Sequence, residues 1–107
     1  MPASVRSSAP IFAALGDETR LAVVRRLCDL GPSSLSGLTE GASVSRQAVT
    51  KHLRVLAEAG LVRRRRRGRV TLWEFRPRGL HDARLALDAI SRNWDAALSR
   101  LRDFVEP

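Results

Sequence analysis

Cysteine, tyrosine and long hydrophobic runs are scarce or absent in this chain of 107 residues. Its single cysteine, Cys28, cannot form an intrachain disulfide or a cysteine zinc cluster, which excludes a disulfide-stabilised framework. No apolar run has the length of a signal-peptide core or a membrane span, so we expect a cytoplasmic protein with no membrane partner. Aromatic residues make up only 5% of the chain, so few rings are available to stack on single-stranded bases.

Length and composition indicate one globular domain over residues 1–107, since 44% of the residues are apolar. The net charge is +8, and its distribution is uneven. The window from Arg46 to Arg78 holds 11 basic residues against Glu58 and Glu74, a net charge of +9, whereas the rest of the chain carries −1. A phosphate backbone favours such a concentrated excess through counterion release, whereas an ordinary solvated surface intersperses the two signs. The charge pattern therefore indicates a nucleic-acid partner.

The pattern of the N-terminal third predicts that residues 1–8 are frayed and that the first helices lie within residues 11–30. Asp17 is a good N-cap for the second of these helices, and Gly31 is placed to end it. Apolar residues at three- and four-residue spacing are expected to face inward from this second helix, namely Leu21, Val24, Leu27 and Cys28.

Residues 34–59 have the pattern of a helix-turn-helix, in which two helices are joined by a tight turn. Ser33 or Ser34 can start the first of them, and Ser45 caps the second. Gly60 lies where a residue of left-handed conformation ends that helix.

The hydrophobic period changes over residues 61–76. The arginine run Arg63–Arg67 is followed by a run of β-branched and aromatic residues from Val70 to Phe75, with Arg67-Gly68 as the predicted hairpin tip. The fold class predicted is therefore mainly α with a small β-hairpin. It is a winged helix-turn-helix with about five helices plus a two-stranded antiparallel wing.

Residues 80–105 predict a final helix of about 40 Å, at about 1.5 Å per residue. Apolar residues form an a/d heptad seam along it, in the two series Leu80, Leu87, Trp94, Leu101 and Ala83, Ile90, Ala97, Phe104. Such a helix could lie entirely on its own domain, but it is long compared with a radius of gyration of about 13 Å for 100 residues. We therefore expect it to be a dimerisation helix that meets its counterpart in a second copy.

The fourth helix, which Ser45 caps, has a polar arc opposite an apolar arc. The polar side chains suit base edges and phosphates in the major groove of duplex DNA, although an ordinary amphipathic surface helix is the alternative. Base reading is expected from the N-terminal residues Arg46, Gln47 and Thr50. Phosphate contacts are expected from Ser45, Lys51 and Arg54. His52 lies in the apolar arc, where a partly buried, hydrogen-bonded residue is more common than a DNA contact.

The arginines of the predicted hairpin form the strongest electrostatic feature. On a strand alternate side chains face opposite ways, so about half of them can meet one surface. Arginines at a hairpin tip fit a narrow minor groove, and we expect DNA contacts from Arg66, Arg67 and Arg69. A nuclear-localisation signal or a general polyanion patch is the alternative for such a run.

Three stretches resemble the bacterial winged-helix regulators of the ArsR/SmtB type: FAALGDETRLAVVRRL (12–27), SVSRQAVTKHLRVLAEAGLV (43–62) and GRVTLWEF (68–75). The likeness covers roughly residues 11–76. It implies a homodimer held by the first and last helices, with Phe12 in the interface. It also implies that the fourth helix enters the major groove with the wing beside it. Members typically repress their own operon until a signal releases them.

The metal sites of that family are not matched. Their thiolate motif E-L-C-V-C-D-L corresponds here to residues 32–38, where serines replace the cysteines, and soft metals require thiolates. A second site on the last helix needs paired ligands, of which only His81 and Asp82 are available. The C-terminal segment around Trp94 resembles a metal-free branch of the family. We therefore expect no metal and no cofactor, and the inducing ligand is left open.

An enzyme is the first alternative class. The chain has two histidines, and it lacks a nucleophile elbow, a phosphate-cradling loop and paired carboxylates on one helix face. A chain of this length also leaves little room for a concave substrate pocket, so we reject an enzyme. Cys28, on the predicted inward face, is expected to be a buried small hydrophobe rather than a redox site.

A basic architectural or RNA-binding protein that does not read sequence is the second alternative. The arginine run suits it, whereas the Gln47/Thr50 face and the heptad seam argue against it. A signalling protein that uses the helix-turn-helix only as a scaffold is the third. We favour a homodimeric repressor that binds a two-fold operator in a promoter.

Overall fold

The computed structural model describes residues 3–105. This part of the chain forms five helices and three strands, in the order α1 (Ala3–Leu15), α2 (Glu18–Leu30), β1 (Ser33–Ser34), α3 (Leu35–Thr39), α4 (Arg46–Glu58), β2 (Val62–Arg67), β3 (Val70–Phe75) and α5 (Pro77–Val105). The predicted fold class, mainly α with a β-hairpin after a helix-turn-helix, is confirmed. No helix between residues 3 and 105 combines the length and the apolar character that a membrane crossing needs.

The hydrophobic core lies where α4 meets the other helices and the base of the hairpin. Val49, Leu53 and Leu56 of α4 are completely buried, because residues spaced by three and four positions share one face of a helix. Val62 of β2 and Trp73 of β3 close the core from the hairpin side. The core therefore fixes α4 by its apolar side and leaves its polar side outward.

Helix α1 begins at Ala3, so residues 3–8 are helical, and the prediction of a frayed segment is wrong for them. The first two residues of that predicted segment lie outside the described residues. The helix continues through Pro10, which removes one backbone hydrogen bond. Ile11 is buried in the core, and α1 also contacts α5. The burial of Ile11 and the contact with α5 stabilise α1 by tertiary packing.

Asp17 caps α2 as predicted. Its carboxylate accepts a hydrogen bond from the backbone N–H of Arg20 at 2.9 Å. This hydrogen bond is the main reason that the pKa of Asp17 lies below its ordinary value. Desolvation works in the opposite direction, and the charges of Arg20 and His52 add to the lowering.

Replacing Asp17 by Asn keeps a good N-cap but removes the charge. Because the folded pKa of Asp17 is lowered, its ionised form stabilises the fold above about pH 4, and this contribution is lost as the pH falls through the folded pKa. We expect the free energy of unfolding to fall more in the wild type than in Asp17→Asn between about pH 6 and about pH 3. Urea titrations at both pH values measure it, and an equal fall in the two proteins would contradict it.

The buried face of α2 agrees with the prediction only in part. Leu27 is buried and Val24 packs against the core as predicted, whereas Leu21 is 46% exposed, Cys28 is exposed, and Val23 is buried instead. The expectation of a buried thiol at Cys28 is therefore wrong. Apolar residues occupy more than one arc of this helix. The three- and four-residue spacing alone is therefore compatible with two different buried faces.

The serine caps of the helix-turn-helix are confirmed. The hydroxyl of Ser34 accepts a hydrogen bond from the N–H of Gly37, and the hydroxyl of Ser45 accepts one from the N–H of Ala48, both at 3.1 Å. Gly60, just after α4, has a φ of 82°, which is the left-handed conformation expected where that helix ends.

The predicted two-stranded antiparallel wing is confirmed as β2 and β3. Strand β1, which was not predicted, pairs with β3 and makes the sheet three-stranded in the antiparallel order β1-β3-β2. Ser33 pairs with Trp73 and Ser34 with Leu72. Two residues are too few to show a strand period, which is why the sequence does not indicate β1.

The hairpin turn lies one residue beyond the predicted tip. Arg67 pairs with Val70, so the turn residues are Gly68 and Arg69 rather than Arg67-Gly68. Gly68 has a φ of 62°, and no non-glycine residue of the described chain has a positive φ. Only the first central residue therefore needs glycine, as in a type II′ turn.

Helix α5 begins at Pro77, three residues before the predicted start. Proline suits the first helical position because its missing N–H would be unpaired there. Gly79, Ala83 and Ala86 are buried against the rest of the domain. Every described residue from 91 onward is exposed, since a helix of 29 residues is about 43 Å long at about 1.5 Å per residue and extends beyond its own core.

Candidate nucleic-acid interface

The outward face of α4 carries most of the residues predicted to contact DNA. Arg46, Gln47, Lys51 and Arg54 are all exposed, because the core holds the opposite side of the helix. Their long polar side chains therefore lie on one accessible surface, as binding in a groove requires.

Two other predicted DNA contacts, Ser45 and Thr50, form hydrogen bonds with the backbone of α4 through their hydroxyl groups. The Ser45 oxygen accepts the capping hydrogen bond, which leaves its O–H free to donate to a phosphate. Thr50 is half-buried, and its O–H donates to the carbonyl of Arg46 at 2.8 Å. Only the methyl group and the oxygen lone pairs of Thr50 therefore remain for a base, and hydrogen-bond donation falls on Arg46 and Gln47.

The register of the hairpin places the arginines of β2 on two faces. Arg63 and Arg65 share a face with Glu74, which is only 12% exposed. The Glu74 carboxylate accepts a hydrogen bond from Arg63 Nε at 2.9 Å and lies 3.6 Å from Arg65 Nη1. Two of the positive charges are therefore paired on the face that does not carry Trp73.

Arg64 lies on the other face and was not among the predicted DNA contacts. Its guanidinium is 5.9 Å from the ring centroid of Trp73, a distance typical of a cation–π contact. Both residues line a cleft between α4 and the hairpin, together with Thr50, Arg54, Ala57 and Glu58. Val62 is the sequence feature that could have identified Arg64. An apolar residue at the start of β2 marks the inward strand face, and Arg64, two positions later, shares that face.

The three arginines predicted at the hairpin tip are exposed, and the structure separates them. Arg66 is on the same strand face as Arg64, and its Nε donates to the carbonyl of Gly68 at 3.4 Å. Arg67 is on the opposite face, and Arg69 lies in the turn. The strand geometry thus groups Arg66 with the face turned toward α4 and does not group Arg67 with it.

His52 is partly buried, as predicted, but its expected hydrogen bond is not formed. Its Nδ1 is buried and has no hydrogen-bond partner among the described residues. The Asp17 Oδ2 atom is 4.0 Å from this nitrogen. His52 thus faces the N-terminus of α2 rather than the outward face of α4.

Between residues 3 and 105 no group of three or more histidine, cysteine, aspartate or glutamate side chains is placed to hold a metal ion. His81 is exposed near the start of α5, and Cys28 is exposed on α2.

The predicted dimer seam lies largely on the surface of α5. Its exposed members, with their exposed fractions, are Leu80 (40%), Leu87 (54%), Ile90 (45%), Trp94 (65%), Leu101 (58%) and Phe104 (85%). Ala97 is also exposed, whereas Ala83 is buried in its own core and Phe12 of α1 is half-buried. Leu98 and Val105 were not predicted as part of this surface; they follow Ala97 and Phe104 at heptad position e and are 49% and 67% exposed.

A capped helix with a free polar face, preceded by a short helix and flanked by an arginine-rich hairpin, defines a winged helix-turn-helix DNA-binding protein. A helix-turn-helix domain model matches residues 15–65. The chain is 38% identical over 101 residues to the HTH-type transcriptional regulator Rv2034 of Mycobacterium tuberculosis, covering 94% of this chain and 91% of that protein. It is 28% identical to the arsenical resistance operon repressor of Escherichia coli, over 89% of this chain and 79% of that one.

Among solved structures, an ArsR-like transcriptional regulator from Rhodococcus sp. RHA1 is similar, with a TM-score of 0.73 and 35% identity over 94% of both chains. The chain belongs to the ArsR family and is a DNA-binding transcriptional regulator of the winged helix-turn-helix class.

Proposed function

We propose that this regulator is a homodimeric repressor that binds a two-fold operator in duplex DNA through α4 and the wing formed by β2 and β3. The observation that carries the proposal is the shared cleft in which Thr50 and Arg54 of α4 face Arg64 of the wing. Because this cleft joins the two elements, the polar side chains of α4 and of the wing border one surface, in which Arg54 and Arg64 lie beside Glu58. A groove and its flanking phosphates can meet such a surface at the same time.

The N-terminal end of α4 enters the major groove in this proposal. Arg46 suits the O6 and N7 atoms of guanine, and Gln47 suits the N6 and N7 atoms of adenine. Ser45, Lys51 and Arg54 bind phosphates, and the wing arginines Arg66, Arg67 and Arg69 lie along the adjacent minor groove.

Dimerisation supplies the two-fold symmetry. The apolar seam on α5 remains exposed in a single chain, and Phe104 at its far end is 85% exposed. Pairing of two such seams, with α1 beside them, removes this surface from water. The two copies of α4 are then spaced by about 34 Å, one turn of DNA, so each reads one half-site.

A dimer bound across a promoter blocks access of the polymerase to it. The name of the E. coli relative, the arsenical resistance operon repressor, supports repression as the outcome. The metal chemistry of that relative is not part of the proposal, because serines stand at the matching positions within residues 32–38.

Gln47→Ala and Arg66→Ala are expected to weaken DNA binding in different ways. Loss of a bidentate base contact relaxes the preference for one base by about 1–3 kcal/mol, whereas loss of an arginine on the wing weakens all sequences similarly. Affinities measured for an operator and for its single-base variants separate the two. Equal, sequence-independent losses from both substitutions would contradict this division.

The experiment that tests the function is selection of duplexes from a random library. Fluorescence anisotropy of the selected duplex and of a shuffled duplex follows, at about 150 mM salt. The expected result is a two-fold symmetric sequence that binds roughly a thousandfold more tightly than the shuffled one. Equal, strongly salt-dependent binding to both would favour a basic architectural protein instead.

A further inference from the structure

We propose that Arg64 is a further DNA phosphate contact, held in position by Trp73, and that Arg63 and Arg65 are withheld from DNA by Glu74. This inference rests on the proposed function of α4 and the wing. The three arginines are consecutive in the sequence, yet the strand register places Arg64 on the face opposite its two neighbours.

The indole of Trp73 is the platform for Arg64. Trp73 is 8% exposed and belongs to the core cluster, so its ring is fixed. The Arg64 guanidinium is 5.9 Å from the ring centroid and is attracted to the ring face. A contact with a ring face does not use up the N–H donors, which can still bind a phosphate. This contact reduces the side-chain freedom that Arg64 would lose on binding.

Arg64 also lies next to the part of α4 that is proposed to bind DNA. It lines the same cleft as Arg54, which is an exposed phosphate contact in the proposal. Among the described residues no carboxylate lies within 4.0 Å of the Arg64 guanidinium. Two arginines from different elements therefore border one cleft, and Glu58, which also lines it, forms no ion pair with Arg64. The arrangement suits a phosphate group between the two guanidinium groups.

Glu74 has the opposite effect on the other strand face. Its largely buried carboxylate contacts both Arg63 and Arg65, at 2.9 Å and 3.6 Å. A carboxylate shared by two guanidinium groups competes with a phosphate for the same donors. Near the base of the hairpin, Arg63 and Arg65 are thus bound to Glu74, whereas Arg64 on the opposite face stays available to DNA.

Single substitutions of the three residues by glutamine test this inference, because each removes one positive charge from neighbouring positions of one strand. The affinity for the selected operator duplex and for a shuffled duplex is measured from about 0.1 to about 0.4 M salt. Each phosphate contact contributes about 0.9 to the slope of log affinity against log salt, so two contacts per dimer contribute about 1.8. With a slope of about 1.8, the electrostatic gain from two contacts is zero at 1 M salt and reaches roughly 30-fold in affinity at about 0.15 M salt.

For Arg64→Gln we expect roughly this 30-fold loss on both duplexes and a slope that is smaller by about 1.8. For Arg63→Gln and Arg65→Gln we expect less than about a twofold change and an unaltered slope. Arg64→Lys retains the charge and should restore most of the slope. Circular dichroism confirms folding, and Arg64→Ala replaces Arg64→Gln if that variant is unfolded.

Equal losses at the three positions, or a larger loss at Arg63 or Arg65, would overturn the inference. A wild-type protein that does not distinguish the two duplexes would overturn the proposed operator binding instead. The slope difference between Arg64→Gln and Arg63→Gln is measured on any duplex, so it tests the inference separately.

Discussion

Replacing Trp94 by aspartate is expected to raise the dissociation constant of the dimer by roughly a few thousandfold. Trp94 is 65% exposed in the single chain and lies near the middle of the α5 seam. If each copy buries about 100 Å² of indole surface, the loss for two copies is about 5 kcal/mol at about 25 cal/mol per Å². A carboxylate at the same position adds a desolvation cost, so this value is a lower bound.

Sedimentation equilibrium of the wild type and of Trp94→Asp over a range of protein concentrations measures the change. Ser99→Asp is the matched control, because it adds the same charge to the exposed C-terminal half of α5 at heptad position f, away from the seam. The control is expected to remain dimeric. A Trp94→Asp protein that dimerises as strongly as Ser99→Asp would show that the α5 seam is not the interface.

The same variant connects dimerisation to DNA binding. A monomer can occupy only one half-site, so the tight binding of a two-fold operator should be lost while the weaker binding of a half-site remains. A dimer that uses another surface would instead keep its operator affinity after this substitution.

The sequence predicts α4 well because several local signals agree there. Ser45 supplies the cap, Gly60 the left-handed residue after the helix, and the apolar residues share one arc with Val49 and Leu53. When capping, periodicity and turn residues agree, a helix or strand can be predicted from the sequence without its tertiary contacts. The exposed polar face followed directly from this assignment.

The features that the sequence does not predict depend on contacts between elements. The inward face of α2 is decided by packing, since two arcs of that helix are apolar and Leu21 remains exposed. Strand β1 exists because Ser33 and Ser34 reach the edge of β3.

For the DNA surface, composition identifies the arginine run but not the direction of each side chain. The direction depends on the register of β2 with β3, which sets Arg63 against Glu74 and Arg64 against Trp73. A turn shifted by one residue changes the partner of every arginine, and the observed turn differs by one residue from the predicted tip. Arg64 was missed because the DNA contacts were predicted at the hairpin tip, and the sequence does not show that α4 lies against the strand face that carries Arg64.

Gly79→Ala is expected to destabilise the fold by about 2–3 kcal/mol, even though alanine is the better helix former by about 1 kcal/mol. A Cβ at position 79 would overlap the carbonyl oxygen of Gly60, which leads into the buried Leu61. This segment cannot move away freely, because Leu61 donates to Leu56 and accepts from Arg76 through backbone hydrogen bonds of 3.0 and 2.8 Å. The substitution therefore forces α5 away from the end of α4.

Thermal unfolding at equal protein concentration measures this effect, with an expected fall in Tm of roughly 10–20 °C. Gly37→Ala is the control, since position 37 is also helical and a Cβ there meets only ordinary contacts, at 3.5 Å from Ser34 Oγ. That variant should be neutral or more stable by up to about 1 kcal/mol. Equal Tm values for the two variants would mean that α5 does not dock closely on Gly60. Gly79 lies where α5, the proposed dimerisation helix, meets Gly60 just after α4. If the Gly79→Ala protein still folds and dimerises, its two copies of α4 should therefore lie at an altered spacing.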